Sequence, residues 1–280
     1  MEEAERTMAI LQIKLTSQAL STKTDVVVIL PTKSLPEMQR IPNYGFYQDG
    51  MVYQVLYLYH GTTGDCFDWI RFSMLEKYAQ DHCLAVVLPS VQNSNVHNIP
   101  DGCAYFDYAA EELPRMISWM LPVSRRRADT FIGGISMGGA AAFKLAMDRP
   151  DRFAAAACLS PAFFIPELIE SGQQTPWSAA YAPGETLKGT AEDPYWQAKN
   201  IMDRKIEYPE LYLCCGTEDE LCLAGTRQFH SYLEQIGMHS TYHEQAGVHD
   251  WEFWNDELKR ILAWLPLQNG LVHAEMPGSV

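Results

Sequence analysis

Five short apolar runs, at residues 52–59, 84–88, 130–133, 154–159 and 211–215, recur along the chain, mostly separated by longer stretches of helical periodicity. A strand that is apolar at every position is buried on both faces, and the fold that supplies two covered faces is a parallel sheet flanked by helices. The helical candidates, 68–80, 108–120, 137–147, 224–236 and 252–265, each repeat apolar residues at the three-to-four spacing of a buried stripe. Pro114 inside the second is expected to start or kink it. Two earlier segments, 9–15 and 25–30, suit an antiparallel pair at a sheet edge, and the more polar 241–245 is a further strand candidate. The pattern predicts a three-layer α/β/α sandwich with a mostly parallel sheet of about eight strands.

One segment resists the alternation. Residues 161–205 carry five prolines with Trp177, Tyr181, Tyr195 and Trp196, too long and too aromatic for an ordinary connection. It is read as a cap excursion over the sheet's C-terminal edge, within a single domain spanning 1–280. The 280 residues and 47% hydrophobic content support one large buried core and exclude a fibrous or disordered chain.

Charge narrows the partners. Thirty-five acids against 21 bases give a net charge of −14, which repels nucleic acid and anionic membrane surfaces and favours a small neutral partner. A homo-oligomer is compatible with these numbers. Seven cysteines without a Cys-x-x-Cys pair point to reduced thiols. With no secretory n-region or h-region and no apolar run near the ~20 residues of a membrane span, the expectation is a cytoplasmic, soluble protein whose first seven residues form an extension.

Chemistry concentrates on Gly134, Ile135, Ser136, Met137 and Gly138, between a strand candidate and a helix candidate. A strained turn at that junction projects the serine hydroxyl above the sheet, and the small flanking residues let strand and helix close up. A serine near neutral pH needs a base within hydrogen-bond reach and an acid that orients the base. The expected chain order is serine, acid, histidine. Of eight histidines, five follow Ser136: His230 falls in a helix candidate, His239 before a strand, His243 within it and His273 in the tail. His249 lies on a loop between the last strand and the last helix, where a side chain reaches the sheet's edge. For the acid, the loop after 211–215 offers Glu218, Asp219 and Glu220, with Asp250 a further candidate, and spacing leaves the choice open.

Acyl transfer also needs two backbone donors for the developing oxyanion, each worth about 3 kcal/mol. The amide of Met137 is one. The other is assigned to Thr62 in the glycine-bounded HGTTG loop, His60 to Gly64. No matching ligand cluster accompanies His60, so no metal and no cofactor are expected.

The HGTTG loop, the GISMGG turn, CGTED and VHDWEFW together resemble the esterase D group of α/β-hydrolases, which contains S-formylglutathione hydrolases. They most resemble its bacterial tributyrin esterase branch, with acetylesterases and feruloyl esterases. The likeness runs from about Ala9 to Leu265. It implies the α/β-hydrolase fold, places the acid on Asp219 and the base on His249, and implies a catalytic triad of Ser136, Asp219 and His249. S-formylglutathione hydrolases tend to carry histidine before the nucleophile, where this chain has Ile135.

The leading reading is a serine carboxylesterase for short acyl or carbohydrate-linked esters, acetyl or feruloyl. Alternatives are an S-formylglutathione hydrolase-like thioesterase, an acyltransferase, and a non-catalytic binding protein on the same fold. Substrate contacts are expected from Trp177, Tyr181 and Trp196 of the cap and from Trp69 and Trp251 beside the catalytic loops.

Overall fold

A computed structural model describes residues 8–33, 35–42 and 45–274; residues 1–7, expected to form an extension, lie outside the described residues. The strands are β1 (Met8–Ser17), β2 (Thr22–Pro31), β3 (Met51–Val52), β4 (Gln54–Tyr59), β5 (Leu84–Pro89), β6 (Thr130–Ile135), β7 (Ala155–Leu159), β8 (Glu210–Gly216), β9 (Thr241–Gln245) and β10 (Val272–His273). Eight of them form one sheet in the order β1-β2-β5-β4-β6-β7-β8-β9. β1 runs antiparallel to β2, and β2 antiparallel to β5. From β5 to β9 every neighbouring pair is parallel.

Burial follows position in the sheet. In the edge strand β1, Gln12, Lys14 and Thr16 face outward and alternate with more buried residues, whereas β4, β5 and β6 are buried throughout. The two-residue period of β4 divides its side chains between two cores: Val55, Tyr57 and Tyr59 on one face, Leu56 and Leu58 on the other. Residues of the helices Leu113–Met120, Met137–Asp148, Pro194–Asp203 and Leu223–Gln235 fill the first core. Those of Asp68–Phe72, Leu75–Asp81 and Trp251–Trp264 fill the second. The three layers and eight strands match the expectation.

Four local expectations are corrected. The helix expected over 68–80 is two helices, because the Ser73 hydroxyl donates to Trp69 O at 2.5 Å and accepts from Leu75 N at 3.2 Å, ending one helix and starting the next. The helix expected over 108–120 begins as a π-turn, Tyr108–Glu112, and becomes α-helical at Leu113 beside Pro114, whose ring removes one N–H from the ladder. The segment 161–205, outside the helical candidates, contains the helices Ile165–Glu170 and Pro194–Asp203. Pro166 and Pro194 stand in first turns, where the N–H has no helical partner to lose, and Asp193 caps the second helix by accepting from Tyr195 N and Trp196 N. The run expected as one strand over 52–59 divides at Tyr53, and its first part pairs with Val272 and His273.

No helix among the described residues is long and apolar enough to cross a membrane. All seven cysteines are unpaired.

Candidate active site

Ser136 lies between β6 and the helix Met137–Asp148 with φ 52° and ψ −117°, a left-handed backbone that L-residues adopt only under constraint. The constraint is visible on both sides. A Cβ on Gly138 would lie 2.4 Å from His60 O, and one on Gly134 would lie 2.4 Å from Gly138 O. Neither backbone contact can yield, so the Gly-Xaa-Ser-Xaa-Gly spacing is a steric requirement of the turn. Ser136 N donates to Leu159 O at 2.9 Å and Ser136 O accepts from Ala162 N at 3.0 Å, which fix the turn to β7 and to the start of the cap.

His249 reaches this turn from the loop between β9 and the last helix. Its Nε2 is 3.0 Å from Ser136 Oγ and its Nδ1 is 2.8 Å from Asp219 Oδ2. With the carboxylate accepting from Nδ1–H, Nε2 is the free acceptor for the serine proton. Asp219, 1% exposed, also accepts from Cys222 N at 2.9 Å and Leu221 N at 3.1 Å. Burial alone would raise its pKa, but the bonds from His249 and the Cys222 amide outweigh burial and bring it down to about 2.

The other acids of the region have separate tasks. Glu218 is exposed; its Oε2 accepts from Gly247 N at 2.6 Å and its own amide donates to Gly247 O at 3.0 Å, tying the acid loop to the histidine loop. Glu220 faces solvent. Asp250 caps the last helix, accepting from Phe253 N at 3.0 Å. Of the remaining histidines after Ser136, His230 lies in Leu223–Gln235, His239 precedes β9, His243 is within β9, and His273 pairs with Met51 in the small sheet.

The HGTTG loop adjoins the serine: a Cβ on Gly61 would stand 3.6 Å from Ser136 Cβ. His60 is an internal clamp of that loop. Its Nε2 accepts from Val91 N at 3.0 Å, its Nδ1 donates to Gly61 O at 2.7 Å, and burial lowers its pKa, so the neutral ring holds the loop. Thr63, at φ 64°, donates its amide to Asn93 Oδ1 at 2.7 Å, and Thr62 Oγ1 accepts from Trp177 Nε1 at 3.0 Å. These bonds hold the backbone of the HGTTG loop, and Met137 is the first residue of the helix after Ser136.

The five aromatic residues expected to contact substrate occupy different places. Trp177 is buried, links the cap to Thr62 and packs against Phe164. Tyr181 turns into the body, where its hydroxyl donates to Glu192 at 3.2 Å, accepts from Asn95 Nδ2 at 2.9 Å, and its ring stacks on His97. Trp196 is 41% exposed in the helix Pro194–Asp203. Trp69, 1% exposed, donates to Tyr59 O at 3.1 Å and has no surface to offer a ligand. Trp251 packs on Trp69, Phe72 and Trp254.

Two neighbours of the site were not singled out from sequence. Trp254 meets the His249 ring edge to face at 4.9 Å, and its Nε1 donates to Ser160 Oγ at 3.2 Å. Ser160, fully buried with φ 41°, in turn hydrogen-bonds Asp219 and helps keep its carboxyl acidic. The signal was the second tryptophan of the DWEFW run, one helical turn beyond the first. Asp219, Cys222 and His249 also form the one cluster among the described residues with ligand atoms within 4.8 Å of each other. There the acid and the imidazole already bond each other, and burial pushes the Cys222 thiol far from the thiolate a metal prefers.

The chain is 28% identical over 271 residues to an acetyl esterase of Caldicellulosiruptor saccharolyticus, covering 92% of this chain and 98% of that protein. It superposes on the fluorophosphonate-binding serine hydrolase F of Staphylococcus aureus with a TM-score of 0.82 at 28% identity, covering 92% and 98% of the two chains. An S-formylglutathione hydrolase of Staphylococcus aureus gives a TM-score of 0.80 at 28% identity, covering 92% and 99%. The profile of the Esterase family matches residues 17–265. The chain therefore belongs to the Esterase family of α/β-hydrolases.

Proposed function

We propose that the protein is a serine carboxylesterase that hydrolyses short-chain acyl or carbohydrate-linked esters through an acyl-serine intermediate. The observation that carries this reading is the unbroken hydrogen-bond line from Asp219 through His249 to Ser136. In the proposed mechanism His249 Nε2 takes the Ser136 proton as Oγ attacks the ester carbonyl. The resulting oxyanion sits between the amides of Met137 and Thr62. His249 then passes its proton to the departing alkoxide, leaving the acyl group on Ser136. A water molecule repeats the sequence, with His249 as base, and releases the acid. Asp219, held ionised, stabilises the imidazolium in both halves.

The acetyl esterase and the serine hydrolase F support ester chemistry. The S-formylglutathione hydrolase supports a thioester as second reading, and Ile135, buried against the Gly61 side of the oxyanion loop, is the residue that separates this chain from that group's usual histidine. Rates with acetyl, butyryl, octanoyl and feruloyl esters beside S-formylglutathione distinguish the two. The reading expects the short oxygen esters to be fastest and a fluorophosphonate to label Ser136. A faster thioester overturns the substrate class, and absence of labelling overturns the mechanism.

A further inference from the structure

A second cavity, of about 170 Å³, opens at the other edge of the sheet, between the start of β6, the helix Leu113–Met120 and the loop before β7. Thr130, the first residue of β6, lines it, whereas Ser136 follows the last, so a six-residue strand of ~20 Å separates the two places. Tyr57, Pro114 and Phe153 wall the cavity and Arg115, Arg125 and Arg152 surround it. Among the described residues lining it there is no carboxylate. In a chain of net charge −14, three guanidinium groups around one small cavity are a local reversal of sign.

The arginines are not equivalent. Glu111, outside the lining, accepts from Arg152 Nη2 at 2.5 Å and from Arg115 Nη2 at 3.5 Å, and Arg152 Nη1 also donates to Ala110 O. Arg125 pairs with no carboxylate among the described residues. Its Nε donates to Ser118 Oγ at 2.8 Å, which orients the guanidinium plane and leaves both Nη groups as a fork for two acceptor oxygens.

Tyr57 supplies the independent observation. It is 3% exposed and lines the cavity near Arg125 and Arg152. Burial pushes its pKa upward, with Arg125 and Arg152 close enough to pull the other way, so the phenol remains a neutral donor. A phenol at the wall of a cavity ringed by guanidinium groups adds a neutral donor to the cationic ones, a set that suits an acceptor oxygen.

We propose that this cavity binds a small organic anion, whose carboxylate or phosphate head accepts from the Tyr57 hydroxyl and the Arg125 fork while its apolar body lies between Pro114 and Phe153. The shared chemistry is an oxyanion on a compact apolar group. The site is separate from the hydrolytic centre and does not depend on the mechanism proposed there.

Titration calorimetry on the full chain at low ionic strength, with inorganic phosphate, benzoate and phenyl phosphate as probes, tests it. Saturable binding of benzoate or phenyl phosphate is expected to weaken about tenfold in Arg125→Ala and about tenfold in Tyr57→Phe. Relative affinity of the two aromatic probes distinguishes a carboxylate from a phosphate head, and inorganic phosphate reports the head alone. Thermal melts of the unliganded variants check that each remains folded. Absence of saturable binding of all three probes at millimolar concentration, or binding that both variants leave unchanged, overturns the proposal.

Discussion

The Trp254 indole stands perpendicular to the His249 imidazole, with centroids 4.9 Å apart and an interplanar angle of 86°, while its Nε1 donates to Ser160 Oγ. One side chain thus touches His249 and, through Ser160, Asp219. Trp254→Phe keeps a ring against His249 and removes the donor. It should lower kcat several-fold with little change in KM, whereas Trp254→Ala should also cost about 3 kcal/mol of stability from the cavity it leaves. Steady-state kinetics with thermal melts separates the two effects, and an unchanged kcat in Trp254→Phe would remove the indole N–H from the account.

The proposed mechanism ranks four substitutions. Ser136→Ala and His249→Ala should each lower turnover about 10⁴-fold or more with the fold retained, and Asp219→Asn about 10³-fold or more. Glu218→Gln keeps an acceptor for Gly247 N and should remain within about tenfold of the parent. Ester turnover of the four purified variants decides the matter; a Glu218→Gln loss greater than that of Asp219→Asn would reassign the acid.

A buried ion pair fastens the cap. Lys144 Nζ, on the helix after Ser136, lies 2.9 Å from both Glu192 oxygens and 2.7 Å from Asn95 O, with both side chains at most 10% exposed. Burial lowers the lysine pKa and Glu192 acts against it, while Lys144 and His97 hold the Glu192 carboxyl below its ordinary value despite its burial. Lys144→Met leaves the Glu192 charge without its cation and should destabilise the protein by about 3 to 5 kcal/mol, read as the unfolding midpoint in denaturant. Adding Glu192→Gln to it should recover part of that loss. Equal stability of Lys144→Met and the parent would show that the cap is held elsewhere.

The pH dependence of stability follows from Asp219. Its folded pKa of about 2 lies below the ordinary 3.8, so folding favours the carboxylate. That contribution, about 2 kcal/mol, is complete above pH ~4 and disappears as pH falls through the folded value. Asp219→Asn lacks it. The stability lead of the parent over Asp219→Asn should therefore narrow between pH 5 and pH 2 in melts at matched ionic strength; a gap constant over that range would contradict the assigned shift.

What the sequence determined by itself is what short-range geometry controls. The apolar run 84–88 and the more polar 241–245 fall on strands because residue period is a local property of the chain, and the Gly134, Ser136, Gly138 spacing marks a tight turn in which Gly134 has no room for a Cβ beside Gly138 O. Even the choice of His249 needed only its place between the last strand and the last helix. Tertiary structure decided wherever identical residue types compete. Glu218 and Asp219 are neighbours on one loop, and only the approach of the Gly247 turn directs the first outward and the second to His249. Trp177, Tyr181 and Trp196 read alike in sequence, yet one holds the HGTTG loop, one is buried in an ionic network and one faces solvent, because a side chain's partner comes from distant chain. The helices of 161–205 stood outside the helical candidates, and the Trp254 link to Ser160 spans 94 residues, a separation that no local pattern encodes.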